Sequence, residues 1–156
     1  MVDLDRLVPV AQMRGEDAKE SSELREMYER ARAYLSVHDW CQSIEEAFLG
    51  FGVGGVVAIF LFRVKLNTGI EELLWVVEGD LPSAYLVTDQ ASTADAALRV
   101  YADLMEGWTD AVRKGTGLDD VFPVDAPADE EHAALLDSRI KLLRSDIIPA
   151  AVHGMP

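Results

Sequence analysis

The stretch Gly50–Lys65, "GFGVGGVVAIFLFRVK", decides the class of this chain. It supports three incompatible readings: a membrane span, a nucleotide-binding glycine loop, or a buried strand reached through glycines. The span is too short. Only Ala47 to Phe62 is uncharged, whereas a hydrocarbon core of ~30 Å takes about 20 apolar residues. Gly50, Gly52 and Gly55 do spell G-x-G-x-x-G. A dinucleotide fingerprint, however, needs a strand before the glycines and a helix after them, so that the helix N-terminus meets the pyrophosphate. Here the residues before the glycines read as a helix and those after them as a strand, and no P-loop Lys-Ser/Thr pair follows. The remaining reading is structural: glycines end a helix and feed a strand buried along most of its length.

Working outward, "VVAIFLFRVKL", "NTG" and "IEELLWVV" form a strand, a turn and a second strand. Phe60 and Phe62 fall on one apolar face, while Arg63 and Lys65 reach water toward the hairpin end. "EGDLP" supplies turn chemistry before a third run, "SAYLVT", and connections this short require an antiparallel meander.

Upstream, Leu24, Met27, Tyr28, Ala31, Tyr34 and Leu35 recur at helical spacing from Ser22. Asp39, Gln42 and the Trp40, Ile44, Phe48 stripe predict a second, shorter helix ending at Gly50. Downstream, Ser92 or Thr93 caps a stripe through Tyr101, Leu104 and Trp108 that stops at Gly115. Pro127 is expected to open a last helix, which runs to Pro149. The expected fold is therefore α+β: two N-terminal helices, a three-stranded antiparallel meander, and two C-terminal helices packed on the sheet. Residues 1–20 read as a partly disordered or strap-like tail, 21–149 as a single domain, and 150–156 as a loose C-terminal tail.

There are 28 acidic and 14 basic residues, a net charge of -14 on a chain that is 49% hydrophobic. This is the composition of a folded protein with an acidic surface. No basic stripe exists to displace counterions from phosphates, so nucleic acid and anionic membrane are not expected partners. A basic protein is, because the field of the whole chain favours cations. A small sheet also leaves edges that a homodimer could protect. Cys41 is the only cysteine and excludes an intramolecular disulfide. With no secretory signal pattern at the start, a cytoplasmic location is expected.

Few residues suggest chemistry. His38 and Cys41 are close enough for a thiolate pair, but Asp39 reads as a cap and Cys41 as a small buried residue. The acidic run Asp119, Asp120, Asp125, Asp129, Glu130 and Glu131 lacks the ligand spacing of an EF-hand loop, and reads as turn residues followed by an acidic helix start. No cofactor, metal or catalytic residue is assigned. The most distinctive segment is "LWVVEGDLPSAYLV", Leu74–Val87. Trp75, Glu78, Asp80 and Tyr85, faced by Trp108 from the following helix, form a candidate binding cleft with aromatic walls and a carboxylate floor. The plainer reading is that Trp75, Tyr85 and Trp108 fill the helix-sheet core while Asp80 caps a turn.

That segment, with "GVGGVVAIFLF", "AALRVYADLMEGWTDAV" and "VFPVDAPADEEHAALLDSRIKLL", resembles a functionally uncharacterised family of small acidic bacterial proteins over roughly Asp39 to Ile148. The resemblance implies a bacterial accessory protein and brings no activity or site residue with it. The expected function is a noncatalytic protein-binding or assembly module, in one form an immunity-like neutraliser of a basic partner. The alternative is a small hydrolase or ligand-binding sensor using the cleft near Asp80 and Tyr85.

Overall fold

In the computed structural model, which describes residues 2–153, the glycine run is the corner of a β-hairpin. Strand β2 (Cys41–Val53) enters it and β3 (Val57–Leu66) leaves it. Gly54 and Gly55 make the turn, with Gly55 at φ 75°, a conformation in which glycine has no Cβ penalty. The expected second helix is thus a strand. Its disguise has a physical cause. β2 is offset against β3 by one residue at each of three irregularities, between Cys41 and Ser43, Ile44 and Glu46, and Leu49 and Phe51. Each bulge inserts a residue that opposes nothing on the partner. Ile44 and Ala47 then share one face and Phe48 and Phe51 the other, so residues three apart lie together as they do on a helix.

The sheet has five antiparallel strands in the order β1-β2-β3-β4-β5, not three. β1 (Val8–Pro9) lies between two short 3-10 turns, Leu4–Arg6 and Val10–Gln12, and pairs with Leu49 and Phe48. β4 (Glu71–Gly79) follows the Asn67–Ile70 turn, and β5 (Ala84–Val87) closes the far edge.

Helix α1 (Ala18–Ser36) covers one face of the sheet. Asp17 caps it by accepting from the Glu20 amide at 2.8 Å, and Glu20 in return accepts from the Glu16 amide at 2.7 Å, a reciprocal cap. The second oxygen of Glu20 accepts from the Gly54 amide at 3.1 Å, which fastens the β2–β3 turn to the first turn of α1. α2 (Ala94–Lys114) runs from a Thr93 cap to Gly115 at φ 67° and covers the other face. α3 (Glu130–Leu142) begins three residues after Pro127, behind an Asp129 cap, so Pro127 belongs to the preceding turn. The helix does not stop at Pro149. It widens into a π turn at Leu143–Ile147 and resumes as α4 (Ile148–Val152), giving one continuous rod. Pro149 has no amide to donate, and its ring would crowd the preceding turn of a regular α-helix; a wider turn relieves that conflict. Residues 154–156, part of the expected C-terminal tail, lie outside the described residues.

Helices on both faces create two cores. Leu24, Met27, Ala31 and Leu35 of α1 pack on Phe60, Phe62, Val64 and Val76. Leu98, Tyr101, Met105 and Trp108 of α2, with Leu136 and Ile140 of α3, pack on Ile59, Leu61, Trp75 and Val77. β3 contributes to both, so its side chains from Val57 to Phe62 are all buried. Its polar end emerges at Arg63, which reaches Glu46 on β2 at 2.7 Å.

Candidate functional site

Alternation along β4 divides the residues expected to line one cleft. Trp75 and Val77 point to the α2 side, whereas Leu74, Val76 and Glu78 point to the α1 side. Tyr85 pairs with Val76 and shares its face. Trp75 and Tyr85 are consequently on opposite faces of the sheet. Trp108 joins Trp75 in the α2 core, fully packed. Trp75 donates its indole N–H to the Ala91 carbonyl at 2.9 Å and so anchors the loop before α2.

The two carboxylates also part company at Gly79. Glu78 is the only buried acidic residue among those described. Ser83 Oγ donates to its Oε2 at 2.6 Å and the Gly79 amide to its Oε1 at 3.3 Å, while Arg30 of α1 stands 3.7 Å away. The guanidinium is largely in water, so the buried charge is held chiefly by the hydroxyl and the amide. Burial, and secondarily the charges of Glu78 and Tyr34, push the Tyr101 phenol far above its ordinary range. Burial likewise raises the Tyr34 phenol, helped by Tyr85 and Glu78 and opposed by the Tyr85 backbone. Tyr101 stays a neutral donor and gives its proton to the Pro82 carbonyl at 2.6 Å. Tyr101→Phe removes that bond and leaves the carbonyl short of a partner; the expected loss is about 1 kcal/mol in urea-monitored stability, with the m-value unchanged.

Asp80 lies beyond the turn on the α3 side. Its exposed carboxylate meets Arg139 Nη2 at 2.8 Å, and the same guanidinium donates to the Asp80 carbonyl at 3.2 Å. Together they border a groove of about 190 Å³ floored by Leu81, Pro82, Trp108 and Leu136 and flanked by His132. His132 Nδ1 is engaged by Asp129 at 2.7 Å. The groove thus unites Asp80 with Trp108, but not with Trp75, Glu78 or Tyr85.

Tyr85 belongs to a different group. His38 and Trp40, from the link between α1 and β2, stand 5.1 Å from it, ring centre to ring centre, and 4.9 Å from each other. Tyr34 of α1 completes the group at 5.4 Å from His38. All four rings are half-buried. Tyr34 and Trp40 read in sequence as members of two helical stripes, and only the α1–β2 link brings them together. His38 Nδ1 is 3.1 Å from the Leu35 carbonyl, which can only accept, so that nitrogen carries a proton and is engaged with the last turn of α1. Burial pushes the Cys41 thiol up despite Arg32 nearby, the opposite of what an activated thiolate needs. Among the described residues, no three His, Cys, Asp or Glu side chains gather closely enough to hold a metal ion. None of the helices there is long and apolar enough to cross a membrane.

No protein-family model, curated protein or solved structure matches the chain.

Proposed function

We propose that this chain is a noncatalytic protein-binding module for a basic protein, of the immunity or neutraliser kind. The observation that supports it is the disposition of charge. Half of the 14 basic residues are already tied to carboxylates of the same chain: Arg30, Arg63, Arg99, Arg113, Arg139, Lys141 and Arg144. Most of the 28 acids are left facing water without a cation. Such a field raises the encounter rate with a basic surface and disfavours acidic competitors. Of the five residues expected to line one binding cleft, Trp75 and Trp108 lie in the α2-side core, Tyr85 and Glu78 on the α1 side, and Asp80 beyond the turn against α3, which favours recognition over the hydrolase reading.

Affinity capture with the full chain tests this. Basic proteins are expected to be retained at roughly 50 mM salt and released progressively as the Debye length shrinks toward ~8 Å near 0.15 M. Retention of acidic and basic proteins alike, or of none, counts against it. The sensor alternative rests on the groove at Asp80 and Trp108. It is favoured instead if a small metabolite shifts the melting temperature saturably without being turned over.

A further inference from the structure

One end of the sheet carries an uncovered apolar surface. Val37 after α1, Ile70 in the β3–β4 turn and Val87 at the end of β5 are 77%, 61% and 52% exposed, the three most exposed large apolar side chains among the described residues. The half-buried rings of Tyr34, His38, Trp40 and Tyr85 belong to the same end. The Asn67 amide reaches the Trp40 carbonyl at 3.0 Å, which ties the β3–β4 turn to the ring cluster. Tyr85 and Val87 lie two residues apart on β5 and so share the α1-side face. α1 stops at Ser36, and α2 and α3 pack on the other face, so among the described residues no element closes over this patch.

Two further observations say what fits there. β5 is an edge strand with no strand beyond it, and edge strands add extended partners through main-chain bonds. The rim is acidic: Asp39, Glu72 and Asp89 are exposed and none of them has an ion-pair partner within 4 Å, while Glu71 lies on the opposite face across from Lys65. Arg32 and Lys65 are the basic residues nearby in the chain. Aromatic faces ringed by carboxylates suit Lys or Arg side chains, which gain a cation–π contact and a charge partner together. A second copy fits poorly, because it would bring a like net charge of -14 and a like acidic rim to the contact.

The geometry points to a specific docking surface: a basic, extended segment of another protein adds to β5 as a sixth strand, laying alternate Lys or Arg side chains over Tyr85 and Trp40. This rests on the basic-partner reading above and names its surface.

The test uses a synthetic peptide of about ten residues alternating lysine and valine, a strand-forming pattern. Controls replace every lysine by glutamate, or alternate valines by proline. Trp75 and Trp108 are buried, so Trp40 is the tryptophan open to solvent quenchers. The lysine peptide is expected to shield Trp40 from acrylamide and to slow amide exchange over residues 84–87. Trp40→Ala is expected to weaken binding about tenfold. Val87→Arg, an exposed change that spares the core, should do the same by repulsion. Asp119→Asn with Asp120→Asn, in the remote acidic loop, should leave affinity unchanged. Binding without protection of β5, or weakened as much by the loop variants as by Trp40→Ala, overturns the patch and leaves the basic-partner reading standing. Equal binding of the proline peptide overturns strand addition. A dimer that Val87→Arg dissolves gives the surface to a second copy and overturns the inference. If neither this peptide nor any basic protein binds, both readings fall.

Discussion

Replacing Trp75 by alanine is expected to remove about 4 kcal/mol of stability, seen as a large fall in the urea midpoint. Trp75 is completely buried and stands between β3, Ala84 and Leu86 of β5, and α2. Truncation leaves a cavity that a two-layer core cannot easily collapse, because the sheet behind it is fixed by strands on both sides. It also orphans the Ala91 carbonyl, which accepts the indole N–H at 2.9 Å and holds the start of α2. Trp75→Phe separates the two contributions. It keeps most of the ring and loses the hydrogen bond, so about 1–2 kcal/mol is expected. Equal losses for the two variants would show that the hydrogen bond, and not the volume, dominates.

Gly79→Ala is expected to cost about 3 kcal/mol, lowering the melting temperature by roughly 10 °C in a chain of this size. Gly79 sits at φ 147°, where an L side chain is strained. A Cβ there would press on backbone, 2.9 Å from Val57 Cα and closer still to the Val56 carbonyl oxygen. That carbonyl cannot retreat without cost, because it accepts from the Asp80 amide at 2.9 Å. The close approach joins the β2–β3 corner to the end of β4, so the substitution disturbs both hairpins. Gly69→Ala is the informative control: its φ of 89° is also positive, but nothing lies near an added Cβ. A smaller loss at Gly69 than at Gly79 isolates the steric part, and no loss at Gly79 would contradict the geometry described here.

The hairpin of β3 and β4 was legible because both strands are short apolar runs rich in β-branched and aromatic residues around an Asn-Thr-Gly turn. β5 was visible for the same reason after Asp80 and Pro82. β2 was not, since three bulges break its period and leave Ile44 with Ala47, and Phe48 with Phe51, at helical spacing, although Trp40, Ile44 and Phe48 do not share one face. β1 is two residues long and contains Pro9, below what any pattern can reveal. Pairing, rather than propensity, makes it a strand. The C-terminal rod overran its expected end because a π turn accommodates Pro149.

The site was legible in composition but not in arrangement. The run from Trp75 to Tyr85 does carry aromatic and acidic groups, but the strand and its turn send them to different faces. Which face each occupies follows from register, and register follows from the turn between Gly79 and Ala84, whose geometry the residue types did not fix. The aromatic cluster at Tyr34, His38, Trp40 and Tyr85 joins segments some 50 residues apart. No local spacing could announce it. What the sequence did contain was the acidic excess, and that is the property on which both functional readings depend.

The sheet in the middle also sets an order of events during synthesis. α1 leaves the ribosome before any of the strands whose apolar side chains it covers, and it has only the short N-terminal turns to pack against until β2 and β3 close. A strand whose side chains are buried on both faces cannot rest half-finished. Until α2 follows, Ile59 and Leu61 of β3 face water, as do Phe60 and Phe62 wherever α1 has not yet settled. In the finished fold the bond from the Gly54 amide to Glu20 ties that helix to the β2–β3 corner. A nascent chain halted before residue 94 therefore presents one face of its sheet to any chaperone or neighbouring chain that can use it.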